Sequence, residues 1–155
     1  MSESYAPRQW WVPAEPASVP LMRRQVLNAV REWRVCDDQD ALDGIAVCTS
    51  ELVTNGVDHA WTLTLGVTVS WTGTAVRIEV LDKDPLAPSR SDADPGDVHG
   101  RGLALLEALG RWGTERRSCG KVVWAEIPVP VTARTGVPAA RIDRARFSNH
   151  GDTDA

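Results

Sequence analysis

The feature that most constrains this chain is a change of hydrophobic period near its middle. From about Gln39 to Ala60, Leu42, Ile45, Ala46, Thr49, Leu52, Val53, Gly56, Val57 and Ala60 recur at helical spacing and share one face. Asp43, Val47, Glu51, Asn55 and Asp58 make much of the other face. The period then falls to two. Leu63 to Trp71 and Ala75 to Leu81 read as strands joined by Thr72-Gly73-Thr74, with Val76, Ile78 and Val80 alternating with Arg77 and Glu79. A one-sided helix running into a one-sided hairpin buries both apolar faces by packing one on the other.

The flanking segments extend this pattern. Residues 1–17, with Trp10, Trp11, Pro13 and Pro16, read as an extended segment with edge-strand character, because an edge tolerates proline. Ser18 is placed to cap a helix running to about Arg34, with Leu21, Val26, Leu27, Val30 and Trp33 at helical spacing. Asp37 to Asp40 form a polar turn before the second helix. Asp82 to His99 is a proline-bearing loop of a length that tends to be functional. Gly100-Arg101-Gly102 opens a third helix, Leu103 to Leu109, and Gly110 suits its C′ position. Arg111 to Glu115 and Lys121 to Val129 read as a second hairpin around Ser118-Cys119-Gly120. The expected domain spans residues 18–130, followed by a disordered tail at 131–155. The predicted fold is an α+β two-layer sandwich, a mixed or antiparallel sheet with helices on one face.

A chain of 155 residues suits one such domain. Its net charge of −4 argues against a broad nucleic-acid footprint. No run approaches the roughly 20 apolar residues of a membrane span, and Met1 to Arg8 has no signal-peptide core, so the cytoplasm is expected. Cys36, Cys48 and Cys119 form no CxxC pair and read as reduced thiols. His59, His99 and His150 lack zinc-ligand spacing. Of the seven tryptophans, Trp33, Trp71 and Trp124 are expected in the core.

Three places carry chemistry. Glu51 and Asn55 stand at i and i+4 on one helix, with Gly44 and Asp58 on the same side. A carboxamide oxygen suits a hard cation such as Mg²⁺, and a carboxylate one turn away can accept a hydroxyl proton. Asp82 ends a strand, where a carboxylate can receive an exocyclic amine. Gly100-Arg101-Gly102 at a helix start offers free N–H groups to an anion. Each pattern alone also fits ordinary structure: a solvated helix face, a turn-forming Asp-Lys-Asp-Pro, a glycine near a cap.

Their order and spacing are more telling. The run Glu51-Leu-Val-Thr-Asn55-Gly-Val-Asp58-His59-Ala60 resembles the N box of the GHKL ATPases, the superfamily of gyrase, the heat-shock chaperone, histidine kinases and mismatch-repair ATPases. Val80-Leu81-Asp82-Lys83-Asp84-Pro85 resembles the first glycine box in a glycine-poor form, and His99-Gly100-Arg101-Gly102-Leu103 the start of the second. Arg111-Trp112-Gly113 and Gly120 to Glu126 resemble the closing hairpin. The short anti-sigma-factor-like serine kinases of bacteria are the most similar branch, over about residues 18–128.

The resemblance implies roles. Glu51 matches the general base for phosphoryl transfer to a protein serine, Asn55 the Mg²⁺ ligand, and Asp82 the adenine contact. Asp84 and Pro85 continue the adenine box. Gly100, Arg101, Gly102 and Leu103 close over the ATP phosphates, and residues 85–99 form the lid. Asp58 and His59 stand at the pocket end of the N box. Two features depart from the pattern. The DxGxG glycines of histidine kinases are absent, and Val122 stands where many relatives carry threonine, removing one hydroxyl contact worth about 1 kcal/mol. No phosphoacceptor helix precedes the run and no phosphatase, STAS or DNA-binding segment is attached, so docking to protein partners is expected. Those partners are a sigma factor, a STAS-type antagonist, or both; a homodimer is a further option. An ATP-binding module without phosphotransfer, and an interaction domain that binds no nucleotide, are the competing readings.

Overall fold

The computed structural model describes residues 5–60, 62–83 and 100–130. The element order is β1 (Arg8–Pro13), α1 (Ser18–Trp33), α2 (Gln39–His59), β2 (Thr64–Trp71), β3 (Ala75–Asp82), α3 (Gly100–Leu109), β4 (Arg111–Arg117) and β5 (Gly120–Pro128). The strands form a five-stranded sheet in the order β1-β2-β3-β5-β4. Every pairing is antiparallel, and the helices pack on one face. The fold is the expected α+β sandwich, with the sheet wholly antiparallel.

Alternation selects the buried face. Across the sheet Val12, Leu65, Val67, Val69, Trp71, Val76, Ile78, Val80, Val123, Ala125 and Ile127 point to the helices and are nearly or fully buried. Met22, Val26, Val30 and Trp33 of α1, and Ile45, Cys48, Leu52 and Val53 of α2, complete the core. Burial of the Cys48 thiol, with the nearby charge of Glu51, pushes its pKa up to about 12, so it behaves as a small hydrophobe.

Local chemistry sets the helix ends. The Asp38 side chain accepts from the Asp40 N–H at 2.9 Å and caps α2. Ser18 does not cap α1: Ala17 holds that position with no side-chain cap, and Ser18 Oγ donates instead to the Pro13 carbonyl at 2.6 Å. That bond ties α1 to the end of the edge strand. Arg34 ends α1 in the left-handed region, with φ of 55°.

The sheet's other face carries a ladder of charge. Glu115 pairs with Arg117, Arg117 with Glu79, Glu79 with Arg77, Arg77 with Glu126, and Glu126 with Arg111. The Arg77 guanidinium also lies 4.3 Å from the ring centre of Trp124. Trp124 therefore sits on this outer face, half-buried under arginine, and not in the core as expected. Its strand parity matches Val122 and Glu126; among the described residues the buried core tryptophans are Trp33 and Trp71.

Burial pushes the Glu79 and Glu126 carboxyls up. Hydrogen bonds and charge from Arg117 and Arg77 at Glu79, and from Arg111 and Arg77 at Glu126, outweigh it and hold both below the ordinary carboxylate range. Groups lowered in this way contribute stability in full above the unfolded-state value of about 4.3. That contribution fades as pH falls through the lower folded-state values. Thermal unfolding followed from pH 7 downward will show this acid-side loss. Glu79→Gln will lower stability at pH 7 by about 1–3 kcal/mol and flatten the acid limb. An unchanged acid limb in that variant counts against the ladder.

Candidate functional site

The position of α2 on the sheet comes first. A Cβ at Gly56 would lie 3.0 Å from both Leu65 Cδ1 and Val80 Cγ1, so glycine lets the C-terminal half of α2 seat closely on β2 and β3. Leu65 pairs with Asp82, and Val67 with Val80. Gly56 thus rests beside the Asp82 end of β3. On another side of α2, a Cβ at Gly44 would lie 3.4 Å from Leu109 Cδ2 of α3.

This seating carries Asn55 inward. Its side chain is buried at 7% exposure, and its Oδ1 has no hydrogen-bond partner among the described residues. The sequence places Asn55 on the polar face; the structure corrects this, because α2 touches the sheet, α1 and α3, leaving only a narrow strip for solvent. Glu51, one turn earlier, is half-buried. Asp58 and His59 are exposed at the end of the helix.

Asp82 closes β3 on the helix-facing side of the sheet, half-buried between the strand partners Leu65 and Lys121. Thr62 Oγ lies 2.9 Å from Asp82 Oδ1 and 2.9 Å from the Thr64 carbonyl. Sequence reasoning missed Thr62, since nothing local marks it. The expected departure at Val122 is also corrected. Val122 pairs with Leu81, fully buried on the outer side, so a hydroxyl there would point away from Asp82; Lys121 is its helix-side neighbour on β5.

Gly100, Arg101, Gly102 and Leu103 form the first turn of α3, so the helix begins three residues before the expected Leu103. Its N-terminal N–H groups lack intrahelical partners. Asp84, Pro85 and the lid segment lie outside the described residues. The close seat at Gly56 sets Asn55 near the Asp82 end of β3, Glu51 stands one turn earlier on the same helix, and α3 packs against α2.

Among the described residues no group of three or more His, Cys, Asp and Glu is placed to hold a metal. A protein-only metal cage is therefore absent there. Mg²⁺ does not need one: it keeps several waters and takes one or two protein oxygens plus substrate phosphates. An unpartnered buried carboxamide oxygen is a donor of that kind. No helix among the described residues is long and apolar enough to cross a membrane.

No curated protein with significant sequence similarity was found. A solved structure of the RsbU and RsbW domains of Rv1364c from Mycobacterium tuberculosis matches with a TM-score of 0.60 at 19% identity, over 86% of this chain and 35% of that one. The chain thus spans about a third of the length of that solved chain, and the likeness establishes the fold. A family model described as the histidine kinase-like ATPase domain matches residues 12–125, most of the sequence, and the chain belongs to that family.

Proposed function

We propose that this chain binds ATP with Mg²⁺ and acts as an anti-sigma-factor-type serine kinase in a partner switch. It phosphorylates an antagonist protein, sequesters a sigma factor, or does both. Family membership supports the nucleotide, and the RsbW domain in the structural neighbour supports the kind of partner.

One observation carries the reading: Asn55 Oδ1 is buried without a partner among the described residues. A buried acceptor left unpaired costs about 1–3 kcal/mol, a penalty that a ligand removes. Asn55 would hold Mg²⁺ through that oxygen. The bound ion supplies positive charge against the phosphate oxygens. Glu51 would receive the proton of the acceptor serine hydroxyl. Asp82 would take the amine of adenine, and the first turn of α3, with Arg101, would hold the phosphates.

Asn55→Leu tests this through opposite signs. Leucine nearly matches asparagine in shape and removes the unpaired acceptor, so the ligand-free variant will be more stable by about 1–2 kcal/mol. The same variant will lose Mg²⁺-dependent stabilisation by ATP, which for the unaltered protein is about 2.7 kcal/mol at 100 times Kd. Thermal shift with and without Mg-ATP measures both. A less stable free variant, or one that keeps the full Mg-ATP shift, removes Asn55 from the site.

A further inference from the structure

We infer that Thr62 is a positioning residue for nucleotide base selection, acting through Asp82; this rests on the reading of Asp82 as the base contact. Thr62 and Leu63, just before β2, are held in place. The Leu63 carbonyl accepts from the Ala14 N–H at 2.8 Å, tying this segment to the end of β1. Thr62 Oγ reaches both the Thr64 carbonyl and Asp82 Oδ1 at 2.9 Å.

A hydroxyl has one proton to give, and both neighbours are acceptors. The bond to a carboxylate is the stronger of the two, so the proton is drawn to Asp82. Rotation of an aspartate carboxyl about its last bond is in general broad. Thr62 narrows it, because Oδ1 is held toward the α2–β2 link. A fixed carboxylate presents acceptors in one direction, which suits a ligand N–H donor and opposes a ligand oxygen. Fixing the acceptor before binding also reduces the ordering that binding must impose.

The ligand chemistry selected is a purine with an amino group at position six. A base carrying an oxygen there meets acceptor against acceptor. A base with hydrogen there loses the bond without a clash. Thr62 therefore sets how strongly the site prefers the amino group over hydrogen at that position.

The experiment measures Kd by titration calorimetry for ATP, inosine triphosphate and purine riboside triphosphate, each with Mg²⁺. It uses the full chain and the variants Thr62→Val and Thr62→Ser. The unaltered protein will prefer ATP over both analogues. Thr62→Val will lower the ATP-to-purine-riboside preference by about three- to tenfold, the scale of one hydrogen bond. Thr62→Ser, which keeps the hydroxyl, will retain the preference. A merely structural role would weaken all three nucleotides together and leave their ratios alone. Unchanged ratios in Thr62→Val therefore overturn the assignment while leaving ATP binding intact. Absence of binding by any of the three to the unaltered protein overturns the underlying site reading instead.

Discussion

Gly120→Ala will destabilise the protein by about 2–5 kcal/mol, the sum of one strained backbone position and one overpacked contact. Gly120 opens β5 directly after the Ser118-Cys119 turn, with φ of +148°. A side chain rarely adopts that conformation, and the space is closed as well. A Cβ there would lie 2.1 Å from the Asp82 carbonyl oxygen and 2.8 Å from Lys83 Cα. Both neighbours are backbone, so no side chain can swing aside. Either β5 separates from β3 at this end or the Asp82 backbone moves. Because Asp82 is the proposed base contact, the variant will also bind ATP more weakly than its folded fraction explains. Gly44→Ala is the matched control. Its Cβ meets Leu109 at an ordinary 3.4 Å, and alanine inside a helix is favoured by about 0.5–1 kcal/mol. Urea unfolding of both variants measures the contrast. A loss below about 1 kcal/mol at Gly120 would mean that the close approach of β5 to Asp82 is not maintained in solution.

Those two glycines show where local reading stops. The period of two in Val76, Ile78 and Val80 predicts a buried strand face, and the structure has it because alternation is a property of the strand alone. The same holds for the apolar stripe of α2. A helical wheel puts Asn55 on the polar face because it divides a helix only into inside and outside. α2 lies between the sheet, α1 and α3, so a polar residue at the border of the stripe becomes buried. Trp124 lies outside the core because strand parity, and not the size of the side chain, decides which face it takes. Its neighbours Val122 and Glu126 share its side, and the register opposite Glu79 brings Arg77 over the ring. The charge ladder depends on that interstrand register, which no single strand encodes. Thr62 and Asp82 are twenty residues apart, and their bond forms only after the β2–β3 hairpin closes. Such a partner becomes visible once the pairing of Leu65 with Asp82 is known, since that pairing returns the end of β3 to the link before β2.

Glu51→Gln should separate chemistry from binding more sharply than any other change in this protein. Glutamine keeps the size and one acceptor oxygen of the side chain but removes its capacity to take a proton at neutral pH. Phosphoryl transfer to a serine of the antagonist will fall by about 10²–10⁴-fold, the usual scale of general-base loss. Mg-ATP affinity will stay within about twofold, because the transferred phosphoryl is held by other groups. The geometry supports that division. Asn55 is buried, with an oxygen that has no partner among the described residues, whereas Glu51 is half-buried one turn nearer the N-terminus of α2. The two stand on one rigid helix, fixed on the sheet by Gly56 and against α3 at Gly44, so a change at Glu51 leaves Asn55 in place. Phosphoserine formation on a co-purified partner, read by mass spectrometry beside a calorimetric Kd, gives both quantities. Transfer that survives in the variant removes Glu51 from the base role. Loss of ATP binding with loss of transfer would make Glu51 part of the nucleotide cradle. An unaltered protein that binds Mg-ATP tightly and transfers nothing to any partner that docks on it would be a nucleotide-gated binding module, with Glu51 serving the docking surface.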